Sequence, residues 1–184
     1  MDFQKRIKKQ LSSKRYEHSV RVAETAVKLA RLHGCDEDKA EIAGLLHDYC
    51  KEYPEEEQVR IAVEQHLLSS REDLLMPQVL HGPVASYILK QERLVDDESI
   101  LQAVRYHTTG HPDMDTLAKI IFIADYIEPG RKTPNIDDLF DIAARDLDEC
   151  VVEIVDRTTV YLIGKRQIIH EDMIKLRNRI LSKE

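Results

Sequence analysis

His47 and Asp48 stand side by side at the end of the apolar stretch "EIAGLLHDYC". An imidazole and a carboxylate where a leucine would serve the core must be met by a polar partner or a cation. Asp125 raises the question more sharply, because it follows the apolar run Ile120 to Ala124 in "KIIFIADYIEP". A buried carboxylate without a partner is costly, so an arginine or a metal ion has to answer it. Three more histidines sit at inward or helix-end positions. His18 is in line with Val22, Thr25 and Leu29, His81 precedes Gly82-Pro83, and His107 closes "ILQAVRYH". Each alone reads as an ordinary hydrogen-bonded histidine. Together His18, His47, Asp48, His81, His107 and Asp125 supply four imidazoles and two carboxylates. That donor set suits iron, manganese, cobalt or zinc better than calcium or magnesium alone. It is too large for one tetrahedral ion and about right for two ions that share a carboxylate.

The remaining candidates are weaker. His33 and His66 fall near helix ends, where the dipole favours partial positive charge, and His170 just precedes the last helical pattern. His111, in "HTTGHP", reads as a contact to substrate or to a ligand rather than a ligand itself. Cys35, Cys50 and Cys150 form no C-x-x-C pair and are odd in number, which fits free thiols in a reducing cytosol. Cys50 lies near the His-Asp pair but is the poorer ligand candidate.

Helices must position these groups, and the pattern is helical almost throughout. From Ser13 to His33 the charges Glu17, Arg21, Glu24, Lys28 and Arg31 share one face, and the rest is largely apolar. Gly34 ends that segment and Asp36 can cap the next, over about Glu37 to Cys50. Pro54 opens "PEEEQVRIAVEQHLL". Further helices are expected at about Gly82–Arg93, Ser99–Thr108 and Thr116–Ile127, then Ile136 to Lys165 and Glu171 to Ser182. No segment alternates with period two, and there is no internal repeat or linker. The expected fold is all-α, in one compact domain over residues 1–184.

Composition excludes several classes. With 27 Lys and Arg against 34 Asp and Glu, the formal charge of the 184 residues is −7. A non-specific nucleic-acid binder needs a positive face, so no nucleic-acid partner is expected. No apolar run approaches a membrane span, and "MDFQKRIKKQL" has no apolar segment to make it a secretory signal. A cytoplasmic protein without a membrane partner is the expectation.

The order His18, His47-Asp48, Asp125 resembles the pattern of the HD-domain metal-dependent phosphohydrolases, and His81 and His107 resemble the extra ligands of their two-metal members. Five segments resemble one branch, the bacterial symmetrical bis(5'-nucleosyl)-tetraphosphatases: "RYEHSVRVAETA", "GLLHDYCK", "HGPVAS", "YHTTG" and "IADYIEPGRK". The resemblance implies an HD-domain helical bundle, with a motif-bearing core at about 13–132 and C-terminal helices at about 136–183. It implies a first metal on His18, His47, Asp48 and Asp125, with Asp48 bridging to a second on His81 and His107. Two divalent ions are implied, iron first and manganese or cobalt next. They would generate a bridging hydroxide that attacks phosphorus. The implied substrate is diadenosine tetraphosphate, split into two ADP. Asp48 and Lys51 are the expected catalytic residues, and Lys51, His111, Arg131 and Lys132 the expected substrate contacts. "HDYCK" also has the H-D-x-x-K form of the cyclic-dinucleotide branch, although its Gly-Tyr-Pro motif is absent. A di-iron oxygenase on the same fold, a nucleotide sensor without turnover, and a homodimer stay open.

Overall fold

In a computed structural model, residues 2–131 and 136–182 are described, apart from the side chain of Asp137. Among them there is no strand. Helix α1 (Phe3–Gln10) precedes α2 (Ser13–Leu32) and α3 (Glu37–Leu46). Then come α4 (Glu55–Glu64), the short α5 (Glu72–Leu75) and a 3-10 turn at Pro77–Val79. Helices α6 (His81–Gln91), α7 (Glu98–Tyr106) and α8 (Thr116–Ile127) complete the site-bearing part. Helices α9 (Ile136–Arg145), α10 (Leu147–Gly164) and α11 (Glu171–Ser182) follow.

Side-chain caps start most of these helices. Ser12, Asp36, Asp97, Asp115 and Asp146 each accept from backbone N–H groups of the following turn. Gly34 adopts φ +64, the left-handed conformation that ends α2. Asp146 divides the expected continuous helix from Ile136 to Lys165. It takes φ −151 and ψ 111, and its carboxylate caps Asp148 and Glu149, so a second helix begins there. Helix α4 stops at Glu64, short of the expected apolar end. Helix α1 and the turns between Glu72 and Val79 were not expected, because such short pieces carry little periodicity.

The core is organised around α8. Ile120, Ile121, Ile123 and Ala124 are fully buried and Phe122 nearly so, as expected of a helix apolar on every side. Helix α2 packs on α3 and α8, while α7 packs on α6, α3 and α8. Gly44 makes the α2–α3 crossing close: a Cβ there would meet the Ala23 Cα at 2.6 Å. This approach brings the histidines of α2 and α3 together. Among the described residues no helix is long and apolar enough to cross a membrane.

Candidate metal centre

Helix α3 ends at Leu46, earlier than expected, and His47 to Glu52 continue as turns. The cause is local. The His47 Nδ1–H donates to the Gly44 carbonyl at 2.7 Å, an acceptor that the next helical N–H would otherwise use. The same device recurs. His107, just past α7, donates from Nδ1 to Val104 O at 2.7 Å. His81, just past the 3-10 turn, donates to Gln78 O at 2.8 Å. Carbonyls left over at a helix or turn end thus fix three imidazoles in one tautomer, with Nε2 bare. His18, inside α2, has a different partner: its Nδ1 lies 3.1 Å from Glu128 Oε1. Glu128 is buried, accepting from Arg21 Nε at 2.5 Å and Gly130 N at 2.6 Å. Burial opposes its charge, but Arg21 and Gly130 outweigh it and lower its pKa.

All four Nε2 atoms converge on Asp48, which is buried. Its Oδ1 lies 3.2 Å from His81 Nε2 and 3.7 Å from His107 Nε2. Its Oδ2 lies 3.4 Å from His47 Nε2 and 3.6 Å from His18 Nε2. Asp125 Oδ1 is 3.0 Å from His18 Nε2 and 3.8 Å from His47 Nε2. The six sequence-selected residues therefore form one cluster in which each Asp48 oxygen faces its own pair of imidazoles. His18, His47 and Asp125 form one compact ligand set, and His47, Asp48 and His107 another, with His47 between them.

The donor chemistry fits cations. The His18 and His47 Nε2 atoms stand 3.2 Å apart, and those of His81 and His107 2.9 Å. With Nδ1 carrying the proton, these are lone pairs facing lone pairs, which only protons or cations reconcile. Ligands about 2.0–2.2 Å from one ion lie about 3–3.5 Å from each other, which is the spacing here. Charge follows the same logic. Burial works against a charged His47, but Asp48 and Asp125 outweigh it and raise its pKa. Burial pushes His81 down to about 4. Burial disfavours the Asp48 carboxylate, but His47, His107 and His81 hold it well below its ordinary range.

The expected substrate contacts are placed less uniformly. Lys51 Nζ lies 3.3 Å from the His81 ring, and burial pushes its ammonium below the usual lysine range, with Asp48 opposing. Arg131 donates to the Asp125 backbone oxygen at 2.9 Å and also to its carboxylate. His111 is not brought to the ligands; it stacks on Tyr106 with ring centroids 4.4 Å apart. Lys132 lies outside the described residues. Cys50 is buried and unattached to the cluster, and burial raises its thiol to about 12.

Sequence reasoning passed over three neighbours. Glu128 steadies His18, and its signal was a carboxylate beside Pro129-Gly130 at the end of an apolar helix. Arg15 donates to Asp48 Oδ2 at 2.7 Å. The Thr108 hydroxyl donates toward the His107 and His81 Nε2 atoms, at 3.0 and 3.2 Å. Arg15 and Thr108 look like solvated helix-end residues in the sequence.

The HD domain model matches residues 15–130. A symmetrical bis(5'-nucleosyl)-tetraphosphatase of Staphylococcus aureus is 45% identical over 175 residues, which cover 93% of this chain and 89% of that one. One from Bacillus subtilis is 40% identical, covering 96% and 94%. A solved structure from Clostridium acetobutylicum, described as a predicted HD superfamily hydrolase involved in NAD metabolism, superposes with a TM-score of 0.94 at 38% identity. It covers 99% of this chain and 96% of that one.

Proposed function

This chain belongs to the HD domain family, and from that premise we propose that it is a hydrolase splitting diadenosine tetraphosphate symmetrically into two ADP. The reaction type and substrate follow the names of relatives that span nearly the whole chain. The observation that carries the site assignment is Asp48, with one oxygen on His18 and His47 and the other on His81 and His107. We read residues 1–184 as a single HD domain, its motif-bearing core at about 13–132 and its C-terminal helices at about 136–183.

His18, His47, Asp48 and Asp125 would hold one divalent ion, and Asp48, His81 and His107 a second. Iron suits this mixture of imidazole and carboxylate, with manganese or cobalt as the other candidates. When bound, such a pair supplies Lewis acidity that activates water and neutralises charge growing on phosphate. Asp48 would be the residue shared by both ligand sets. The four Nδ1 hydrogen bonds hold each Nε2 lone pair aimed inward, so no reorganisation is needed as charge develops. Lys51, half-buried against His81, can hold a phosphate oxygen or pass a proton to the departing phosphate. Arg131, at Asp125, stands at the edge where a long phosphate chain would run, and Lys132 follows it in sequence. His111, on Tyr106, is a candidate for contact with a nucleoside rather than with the ions.

The test is anaerobic metal analysis followed by a nucleotide screen with products identified by mass. Two ions per chain and ADP from diadenosine tetraphosphate support the reading, and Asp48→Ala should lose both ions while keeping its helical circular dichroism. Turnover of a cyclic dinucleotide instead, or oxygen consumption with loss of an organic substrate, would replace it.

A further inference from the structure

His170 is buried, stands apart from the six-residue cluster and immediately precedes α11. Its two ring nitrogens make different contacts. Nδ1 accepts the Asp172 backbone N–H at 3.2 Å, so the ring acts as the N-cap of α11. The proton therefore sits on Nε2, which donates to Asp73 Oδ1 at 2.9 Å, with the Ser70 hydroxyl at 3.4 Å. Asp73 is fixed in turn by the Ser69 and Ser70 backbone N–H groups, at 2.6 and 3.1 Å. The neutral ring thus ties α11 to the segment that runs through the turn at Pro77–Val79 into His81.

Helix α11 also reaches the loop that leaves His107. Leu176 is buried against Gly110, where a Cβ would stand 2.5 Å from Leu176 Cδ2. The Gly110 N–H donates to Tyr106 O at 2.8 Å and closes the turn that contains His107. A cavity of about 20 Å³ joins the two regions: Ser69, Asp73 and Asp172 line it, and so do Pro83, Tyr106 and Thr109, which lie within two residues of His81 or His107.

Protonation would undo one of the two contacts. An imidazolium donates from both nitrogens, so it cannot accept from Asp172 N. The helix dipole also opposes a positive charge at the start of α11. Asp172 Oδ2, 3.9 Å from Nδ1, is the acceptor at hand, and reaching it moves the first turn of the helix. Burial disfavours the charged ring, but Asp73, Asp172 and Glu72 outweigh it and raise the pKa above the ordinary 6.5. The nearby cations are engaged elsewhere. Lys175 pairs with Glu171 at 2.8 Å, and Arg105, which lines the cavity, donates to Leu67 O at 2.8 Å.

We propose that His170 is a pH-sensitive positioning residue for the His81 and His107 side of the centre. As a neutral ring it caps α11 and ties it to the segment entering His81; protonation gives up the cap and loosens the loop leaving His107. The functional part rests on the reading of those two histidines as ligands of a hydrolase.

Two variants that do not titrate divide the contacts. His170→Asn puts an acceptor where Nδ1 stands and keeps the cap, while His170→Gln puts a donor where Nε2 stands and keeps only the tie to Asp73. By NMR the native ring should carry its proton on Nε2 at high pH and titrate with a midpoint above 6.5. The Asp172 and Gly110 amide shifts should follow that midpoint in the metal-free native chain and lose it in both variants. Hydrolysis of diadenosine tetraphosphate by manganese-loaded protein is then compared with His170→Asn at each pH, which cancels protonation of ligands and substrate. The native rate should match His170→Asn above the midpoint and fall roughly two- to thirtyfold below it, the span of coupling through packed structure. His170→Gln should sit at the lower value throughout. If one variant does not fold, the other carries the same comparison. A Gly110 amide that ignores the His170 midpoint would overturn the proposal, and so would a rate ratio that stays flat across pH. The amide readings need neither metal nor substrate, so a native chain without turnover would refute the hydrolase reading alone while they still decide the switch.

Discussion

Replacing Gly44 by alanine should damage metal binding more than it damages the fold. The new Cβ would lie 2.6 Å from Ala23 Cα, 2.9 Å from Ala23 N and 3.1 Å from Ala23 Cβ. Carbon atoms rest about 3.5–4 Å apart, so α2 and α3 must separate by roughly 1 Å. Two of these three atoms are backbone, so no flexible side chain can absorb the shift. Overpacking of this kind costs about 1–3 kcal/mol. Alanine returns about 0.8–1 kcal/mol of helix propensity. The net loss is therefore about 0–2 kcal/mol, and at about 2–4 °C per kcal/mol for a chain of this size Tm should fall by at most about 8 °C. The site is less forgiving. His18 rides on α2 and His47 on the end of α3, with their Nε2 atoms 3.2 Å apart. Metal–ligand distances tolerate only about 0.2 Å, several times less than the displacement. Metal affinity should drop on the order of 10–100-fold, the usual result of disturbing ligand orientation. Thermal unfolding by circular dichroism and calorimetric titration with manganese check both halves. A variant that unfolds at the native temperature and binds manganese with native affinity would refute the claim that the α2–α3 crossing sets the ligand spacing.

Glu128→Gln keeps an acceptor for the His18 Nδ1–H but removes the charge that Arg21 balances. It should release metal to a competing chelator roughly ten times more readily, with little change in helical signal; retention equal to the native chain would argue against a role for Glu128 in holding His18. A second buried pair, His170 Nε2 to Asp73 Oδ1 at 2.9 Å, fastens the start of α11 to the segment that leads to His81. Burial disfavours charge on both partners, but each outweighs that for the other, lowering Asp73 and raising His170. The Asp73 contribution is complete above its unfolded pKa of about 3.9 and is lost as pH falls through its lower folded value; the His170 contribution is complete below about 6.5 and is lost as pH rises through its raised folded value. The Tm difference between the native chain and Asp73→Asn should therefore be largest between about pH 4 and 6.5 and shrink above that window. A difference that widens toward pH 9 would contradict the ion-pair account.

What the sequence made legible was whatever rests on local pattern. Asp125 stood out because it interrupts a helix that is apolar on every face, and α8 is buried as that pattern requires. His18 and His47 were legible as inward polar residues of α2 and the end of α3. The expected helix through Cys50 was wrong in its end, because propensity does not register a side chain taking a carbonyl three residues back. The expected continuous helix from Ile136 to Lys165 failed for a like reason, because apolar pattern does not register the Asp146 side chain capping α10. The contacts of Arg15 and Glu128 were illegible for another reason. Their partners lie 33 and 110 residues away, so only the packing of α2 against α3 and α8 reveals that they touch the centre.

Early-time product analysis of diadenosine tetraphosphate hydrolysis, run in heavy-oxygen water with metal-loaded protein, tests the central claim most directly. The account predicts ADP alone, with solvent oxygen on the terminal phosphate of one of the two ADP molecules. AMP and ATP as first products, or ADP without solvent oxygen in a single turnover, would contradict it.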